Sequence, residues 1–186
     1  MSSKIGLVIL DIDGVMTNGS KMYGEDGMPF AKSYCDKDFT AIKQLKASGI
    51  QVIFLSGDER VNKAMAKNRN IKFYSARGKD KGEFLLYFEN TYKVPREEML
   101  YLGDDLFDIN ILKKVGHPFC PSDASVEVKE VCHKNILPAK GGENVIMALV
   151  EHLSDLSTSE YIIASPKAVG LRLILNSGLC LFKHFQ

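Results

Sequence analysis

Short apolar, β-branched runs alternate along this chain with amphipathic stretches, and that alternation constrains the fold more than any other feature. The strand candidates are Ile5–Leu10, Gln51–Leu55, Lys72–Ser75, Met99–Leu102 and His117–Cys120. Between them lie Thr40–Ala47, Arg60–Asn68, Lys81–Tyr92 and Leu106–Val115, the last with apolar residues at the three-and-four spacing of a helix face. Strands separated by helices build βαβ units, so the expected fold is α/β: a Rossmann-like parallel sheet with helices on both faces. The 186 residues suffice for one domain with a real core. One stretch breaks the pattern. Between Gly19 and Asp38, "SKMYGEDGMPFAKSY" reads as two short strands about Glu25-Asp26-Gly27, a β-hairpin insert spanning about 19–37. The expected domain is 1–153, followed by a tail over 154–186. That tail opens with a polar linker and continues as an apolar run broken by Pro166, Gly170 and Gly178. Its expected role is contact with its own domain or with a neighbouring subunit.

Lys and Arg total 24 against 23 Asp and Glu, a net charge of +1. No basic excess exists to neutralise phosphates, which argues against a nucleic-acid partner. No apolar run approaches the ~20 residues a membrane span needs. The first ten residues, "MSSKIGLVIL", lack the plan of a signal peptide. Four cysteines without a CxxC pair suit a reducing compartment, so a cytoplasmic location is expected. Cys120, Cys132 and His133 lack a fourth ligand at zinc spacing and read as buried thiols and a surface imidazole.

The polar residues with chemistry to offer follow the strands. Asp11-Ile12-Asp13 succeeds the first, Ser56-Gly57-Asp58 the second and Gly103-Asp104-Asp105 the fourth. In parallel sheets ligands sit beyond the carboxyl ends of the strands, where these residues would cluster. Two carboxylates one residue apart repel each other and share a raised pKa unless a cation sits between them. Hard oxygen donors suit Mg²⁺. Alone, Asp-x-Asp is no more than a loop cap beside a surface carboxylate. The apolar strand before it, and Gly14-Val15 and Thr17 after it, shift that balance. Asp104, Asp105 and Asp108 exceed what capping one helix requires. Ser56 and Gly57 offer a hydroxyl and an unobstructed N–H for an anion. Among the many lysines, Lys81 at a helix start is the first choice for a fixed phosphate contact, and Lys79 the second.

In this order, Asp11-x-Asp13-Gly14-Val15-x-Thr17, Ser56-Gly57, Lys81 and Gly103-Asp104-Asp105-x-x-Asp108 resemble the motif set of the haloacid dehalogenase superfamily. "DGVMTNGSKMYGEDGMPFAKSY", "LGDDLFDINILKKVG" and "GGENVIMALVE" are similar to its capless branch, over about residues 4–153. That branch holds the 3-deoxy-D-manno-octulosonate (KDO) 8-phosphate phosphatases and phosphatases of nine-carbon keto sugars. The resemblance implies a Mg²⁺-dependent phosphomonoesterase acting on a small sugar-acid phosphate. Asp11 would be the nucleophile that becomes an aspartyl-phosphate. Asp13 would protonate the leaving alcohol and then deprotonate water. Ser56, Gly57 and Lys81 would hold phosphoryl oxygens. Asp104, the Asp11 carboxylate and the Asp13 backbone carbonyl would bind the metal, with Asp105 and Asp108 in support. The branch packs its hairpin between subunits, which implies a homotetramer. It also places Gly141-Gly142 near the site as a substrate contact.

Three positions depart from the branch. Lys37-Asp38-Phe39 stands where many relatives have Arg-Asp-Gly, Asp58 stands where an Arg often follows the Gly, and the basic run of the next helix is thinned to "RVNKAMAKNR". The resemblance places these positions near where the sugar would sit, so they put its identity in question, with a KDN or sialic-acid phosphate as the alternative substrate. Two other classes compete, a receiver-like signalling module and an inactive assembly domain. Asp13 and the "GDD" after the fourth strand speak against the first, and the intact motifs against the second.

Overall fold

Four consecutive apolar residues, Leu7–Leu10, make β1, and all four are fully buried because helices cover both of its faces. The computed structural model describes residues 4–157, and the expected contacts of the tail beyond Ser157 lie outside them. After β1 come β2 (Met22–Tyr23) and β3 (Pro29–Ala31), then α1 (Asp36–Ala47), β4 (Gln51–Ser56), α2 (Arg60–Asn68) and β5 (Lys72–Ser75). A 3₁₀ turn, Lys81–Phe84, leads into α3 (Leu85–Tyr92), followed by β6 (Met99–Leu102). A second 3₁₀ turn, Leu106–Asp108, leads into α4 (Ile109–Leu112), then β7 (His117–Phe119), α5 (Val126–Cys132) and α6 (Val145–Ser157).

The five-stranded sheet has the order β5-β4-β1-β6-β7 and every pairing in it is parallel. The period of two along each strand divides the core. Val8, Leu10, Val52, Phe54, Leu100 and Leu102 face the side packed by α1 and α6. Leu7, Ile9, Ile53, Leu55, Met99 and Tyr101 face α3, α4 and α5. β1 is central. The chain crosses first to β4 on one side of it and later to β6 on the other, so a cleft opens at the carboxyl ends of these three strands.

The insert is an antiparallel pair, β2 with β3, turning through Gly24–Met28 with Gly27 at φ +69°. Asp38 corrects the expectation that it lies beside the sugar. It is wholly buried beneath α6, where Oδ1 accepts the backbone N–H of Ile146 at 2.8 Å and of Met147 at 3.3 Å. It caps one helix from the side of another. α5 had no expectation attached to it. Cys120 falls just beyond β7, making an isolated bridge with Ile136, and Cys120 and Cys132 are buried as expected.

Candidate active site

Asp11 is the first residue past β1. Its backbone N–H still donates to Leu102 O at 3.0 Å, so the nucleophile candidate is fixed by the sheet itself. The chain then winds tightly. Ile12 O accepts from the amides of Met16 at 2.9 Å and Thr17 at 3.1 Å, and from Thr17 Oγ1 at 3.4 Å. Gly14 supplies the positive φ, +78°, that this turn requires. Fully buried Thr17 is thus a brace for the loop.

One Asp11 oxygen accepts from Ile12 N at 2.7 Å and the other from Lys81 Nζ at 2.6 Å. Lys81 reaches in from its 3₁₀ turn, which Asp80 caps by accepting Gly82 N at 2.7 Å, with Asn110 against the other Asp80 oxygen. The Lys81 ammonium also donates to Asp108 Oδ1 at 2.7 Å and to the Tyr101 hydroxyl at 3.1 Å, so its three N–H bonds are all committed. Burial alone would lower the Lys81 ammonium, but the Asp11 and Asp108 carboxylates override it and hold it above its usual range. Burial raises the Asp11 carboxyl to about 6 against the pull of Lys81, with Asp108 adding to the rise.

Asp11, Asp104 and Asp108 each bring a carboxylate oxygen within 4.8 Å of the others. Asp108 is nevertheless spoken for. Tyr101 OH donates to Oδ1 at 2.6 Å beside Lys81, and the amides of Asp104 at 2.9 Å and Asp105 at 3.1 Å donate to Oδ2. Asp105 caps its own turn by accepting Leu106 N at 2.6 Å. Asp104 is the opposite case: Oδ1 is buried with no hydrogen-bond partner. Burial pushes the Asp104 carboxyl up to about 8, and the charges of Asp11, Asp108 and Asp105 add to the rise. An unpartnered buried carboxylate oxygen facing a second carboxylate fits a hard divalent cation, which supplies the missing charge. Asp104 and Asp11 would hold it. The fit is tight, since a Cβ on Gly14 would lie 1.9 Å from Asp104 Oδ2. Gly14→Ala is therefore expected to weaken divalent-cation binding by about 10–100-fold, read as a shifted Mn²⁺ titration.

Asp13 turns to the other wall. Its Oδ1 accepts Lys32 Nζ at 2.7 Å and its Oδ2 accepts Asn62 Nδ2 at 3.1 Å. Asn62 Nδ2 also donates to Ser56 Oγ at 3.1 Å, at the end of β4. Asp58 takes Lys32 at 2.7 Å and Lys21 at 3.0 Å. Its carboxyl is driven below the usual range because these two ammonium partners outweigh burial. The cleft above is about 1050 Å³, with Lys21, Arg60, Arg77 and Lys79 on its lining beside Asp11, Asp13, Ser56, Gly57, Lys81, Asp104, Asp105 and Asp108. All eight expected site residues therefore meet in one cleft. Gly141 and Gly142 sit behind it: a Cβ on Gly141 would lie 2.0 Å from Gly14 O, and Gly142 N donates to Val15 O at 2.8 Å.

Residues 62–145 match the model of the haloacid dehalogenase-like hydrolases. The 3-deoxy-D-manno-octulosonate 8-phosphate phosphatase of Haemophilus influenzae is 28% identical over 174 residues, 89% of this chain and 96% of that protein. The cobalt-bound structure of the phosphatase from that organism superposes with a TM-score of 0.74 at 29% identity, covering 81% of this chain and 87% of the other. A probable YrbI-family phosphatase of Pseudomonas syringae gives a TM-score of 0.74 at 32% identity, covering 80% of this chain and 84% of the other. The chain belongs to the haloacid dehalogenase-like hydrolases. For a member of this family, Asp11, Asp13, Ser56, Lys81 and Asp104 were legible from motifs, but four of their partners were not. Lys21 and Lys32 sit in the hairpin insert and read as solvated, Asn62 sits on an amphipathic helix, and Tyr101 reads as strand core. Only for Tyr101 did the sequence hold a signal: a lone hydroxyl in an apolar strand two residues before the Gly103-Asp104 turn.

Proposed function

We propose that this chain is a Mg²⁺-dependent phosphomonoesterase of a small sugar-acid phosphate, of the KDO 8-phosphate type, working through an aspartyl-phosphate on Asp11. One observation carries the reading: Asp11 sits 2.6 Å from Lys81 and close to Asp104, whose Oδ1 has no hydrogen-bond partner, in an open cleft that Lys21, Arg60, Arg77 and Lys79 also line. An Asp11 oxygen attacks phosphorus while the bond from phosphorus to the substrate oxygen breaks, and Asp13 gives that oxygen its proton. Asp13, now a carboxylate, takes a proton from water as the water oxygen attacks phosphorus, freeing Asp11 and inorganic phosphate. Ser56 and the Gly57 N–H hold the transferring oxygens, and Lys81 trades a protein contact for one of them. When bound, Mg²⁺ supplies positive charge that keeps Asp11 ionised as an anionic substrate approaches.

The names of the relatives support the sugar-acid class, and Lys21, Arg60, Arg77 and Lys79 on the cleft lining suit a substrate with a second anionic group. A receiver-like module would need an acceptor carboxylate directly after β5, where the chain gives Ala76, Arg77 and Gly78. We include in the reading a catalytic domain over 1–153, a cytoplasmic location and a homotetramer built on the hairpin. The exposed Met22, Tyr23, Met28 and Phe30 support that interface. No helix among the described residues is long and apolar enough to cross a membrane. The test is phosphate release from KDO 8-phosphate, nine-carbon keto-sugar phosphates and nucleoside monophosphates. Multiple turnover on a sugar-acid phosphate with Mg²⁺, lost on chelation and restored by Mg²⁺, is the expected outcome. A single stoichiometric phosphorylation, or a wide preference for nucleotides, would overturn the proposal.

A further inference from the structure

We infer that Lys32 and Asn62 are positioning residues for proton transfer, and that the hairpin insert delivers Lys32 to Asp13 as part of the active site. The inference rests on the role proposed above for Asp13. Lys32 directly follows β3, and its side chain is 0% exposed. A buried ammonium is costly unless every N–H is matched. Here the three are matched by Asp13 Oδ1 at 2.7 Å, Asp58 Oδ2 at 2.7 Å and Asn62 Oδ1 at 2.9 Å. Asn62, also fully buried, is saturated too. Its Oδ1 accepts from Lys32 and from Tyr34 OH at 3.0 Å, and its Nδ2 donates to Asp13 Oδ2 and Ser56 Oγ.

Both oxygens of Asp13 are thus tied to buried donors that are themselves fixed by further bonds, Lys32 by Asp58 and Asn62, and Asn62 by Ser56, so the carboxyl plane is set. Asp13 keeps 25% of its side chain exposed to the cleft, so the clamp holds it from behind and leaves a face for substrate. The same amide joins Asp13 to Ser56, so the group that moves the proton and the group that holds the phosphoryl share one fixed reference. Networks of this kind are worth more than their pairwise parts because each member orients the next.

Leaving-group chemistry separates positioning from bulk stability. p-Nitrophenolate departs without a proton, whereas an alkoxide needs one from Asp13. Lys32→Met is expected to lower kcat/KM for an alkyl phosphate, glycerol 3-phosphate, at least about tenfold more than for p-nitrophenyl phosphate. Inhibition by inorganic phosphate should stay within about twofold, since the phosphoryl contacts are untouched. Asp13→Asn should show the same selective loss, and Lys32→Arg should recover part of it. Tyr34→Phe, which removes only one bond to Asn62, gives a milder version in case Lys32→Met does not fold. An equal loss on both substrates in Lys32→Met and Tyr34→Phe, beside a selective loss in Asp13→Asn, would overturn the clamp and leave the phosphatase reading standing. Undiminished turnover of the alkyl phosphate in Asp13→Asn would overturn both.

Discussion

Asp11→Asn is expected to reduce phosphate release by about 10⁴-fold or more, the scale seen when a covalent nucleophile is removed from an enzyme whose binding groups remain. The exchange is nearly isosteric and the loop should keep its shape, because Ile12 N at 2.7 Å can still donate to a side-chain oxygen. The amide is a poor nucleophile and brings no charge to the cation. Stability should move the other way. Burial raises the Asp11 carboxyl to about 6 from an ordinary 3.8, so the folded chain keeps a proton that the unfolded chain has already released. Between those two values stability therefore falls as pH rises, and the loss is complete above about 6. In chelator, Asp11→Asn should lack this part of the pH slope and melt at or above the wild-type temperature near neutral pH. A variant that loses both activity and several degrees of stability would mean that Asp11 is chiefly structural.

Lys81→Met is expected to damage both fold and activity. Lys81 is 7% exposed and lies between two carboxylates, Asp11 at 2.6 Å and Asp108 at 2.7 Å. Removing one partner of a buried ion pair strands the other, at a cost of about 3–5 kcal/mol. Here a single cation is removed from two acids, and Asp104 already crowds the same corner. Thermal or urea unfolding should show the loss directly. On activity, the missing contact to the transferring phosphoryl should lower kcat by about 10²–10³-fold. Added Mg²⁺ should return part of the stability, because it supplies charge to the same carboxylates, but little of the rate. Full recovery of rate by Mg²⁺ would show that Lys81 serves only to neutralise Asp11.

Much of this was legible in the sequence because the parallel sheet turns local signals into a shared address. β5 and β6 lie where their apolar runs predict, and α2 spans its predicted residues. Every strand whose end carries a motif points that motif into the same cleft. The less legible parts are those whose meaning depends on residues far away in the chain. Lys32 is ordinary until Asp13, Asp58 and Asn62 converge on it across three separate segments. Asp38 looks like a residue for substrate until its carboxylate is found under the first turn of α6. The helical runs at Lys81 and Leu106 begin as 3₁₀ turns instead, because Asp80 and Asp105 cap them tightly, a distinction that periodicity does not carry.

The glycine pair behind the Asp11 loop bears on when, as well as where, the site comes into being. Gly142 N reaches Val15 O at 2.8 Å, and Gly141 lies so close to Gly14 O that no side chain fits between them. On the ribosome Asp11 is made well before Gly141 and Gly142, so the backbone that seals its loop follows only after all five strands of the sheet. The loop that holds Asp11 is therefore closed only once the chain beyond β7 is in place. A nascent chain halted before Gly141 would display every motif residue and still lack the wall that holds the first of them in place.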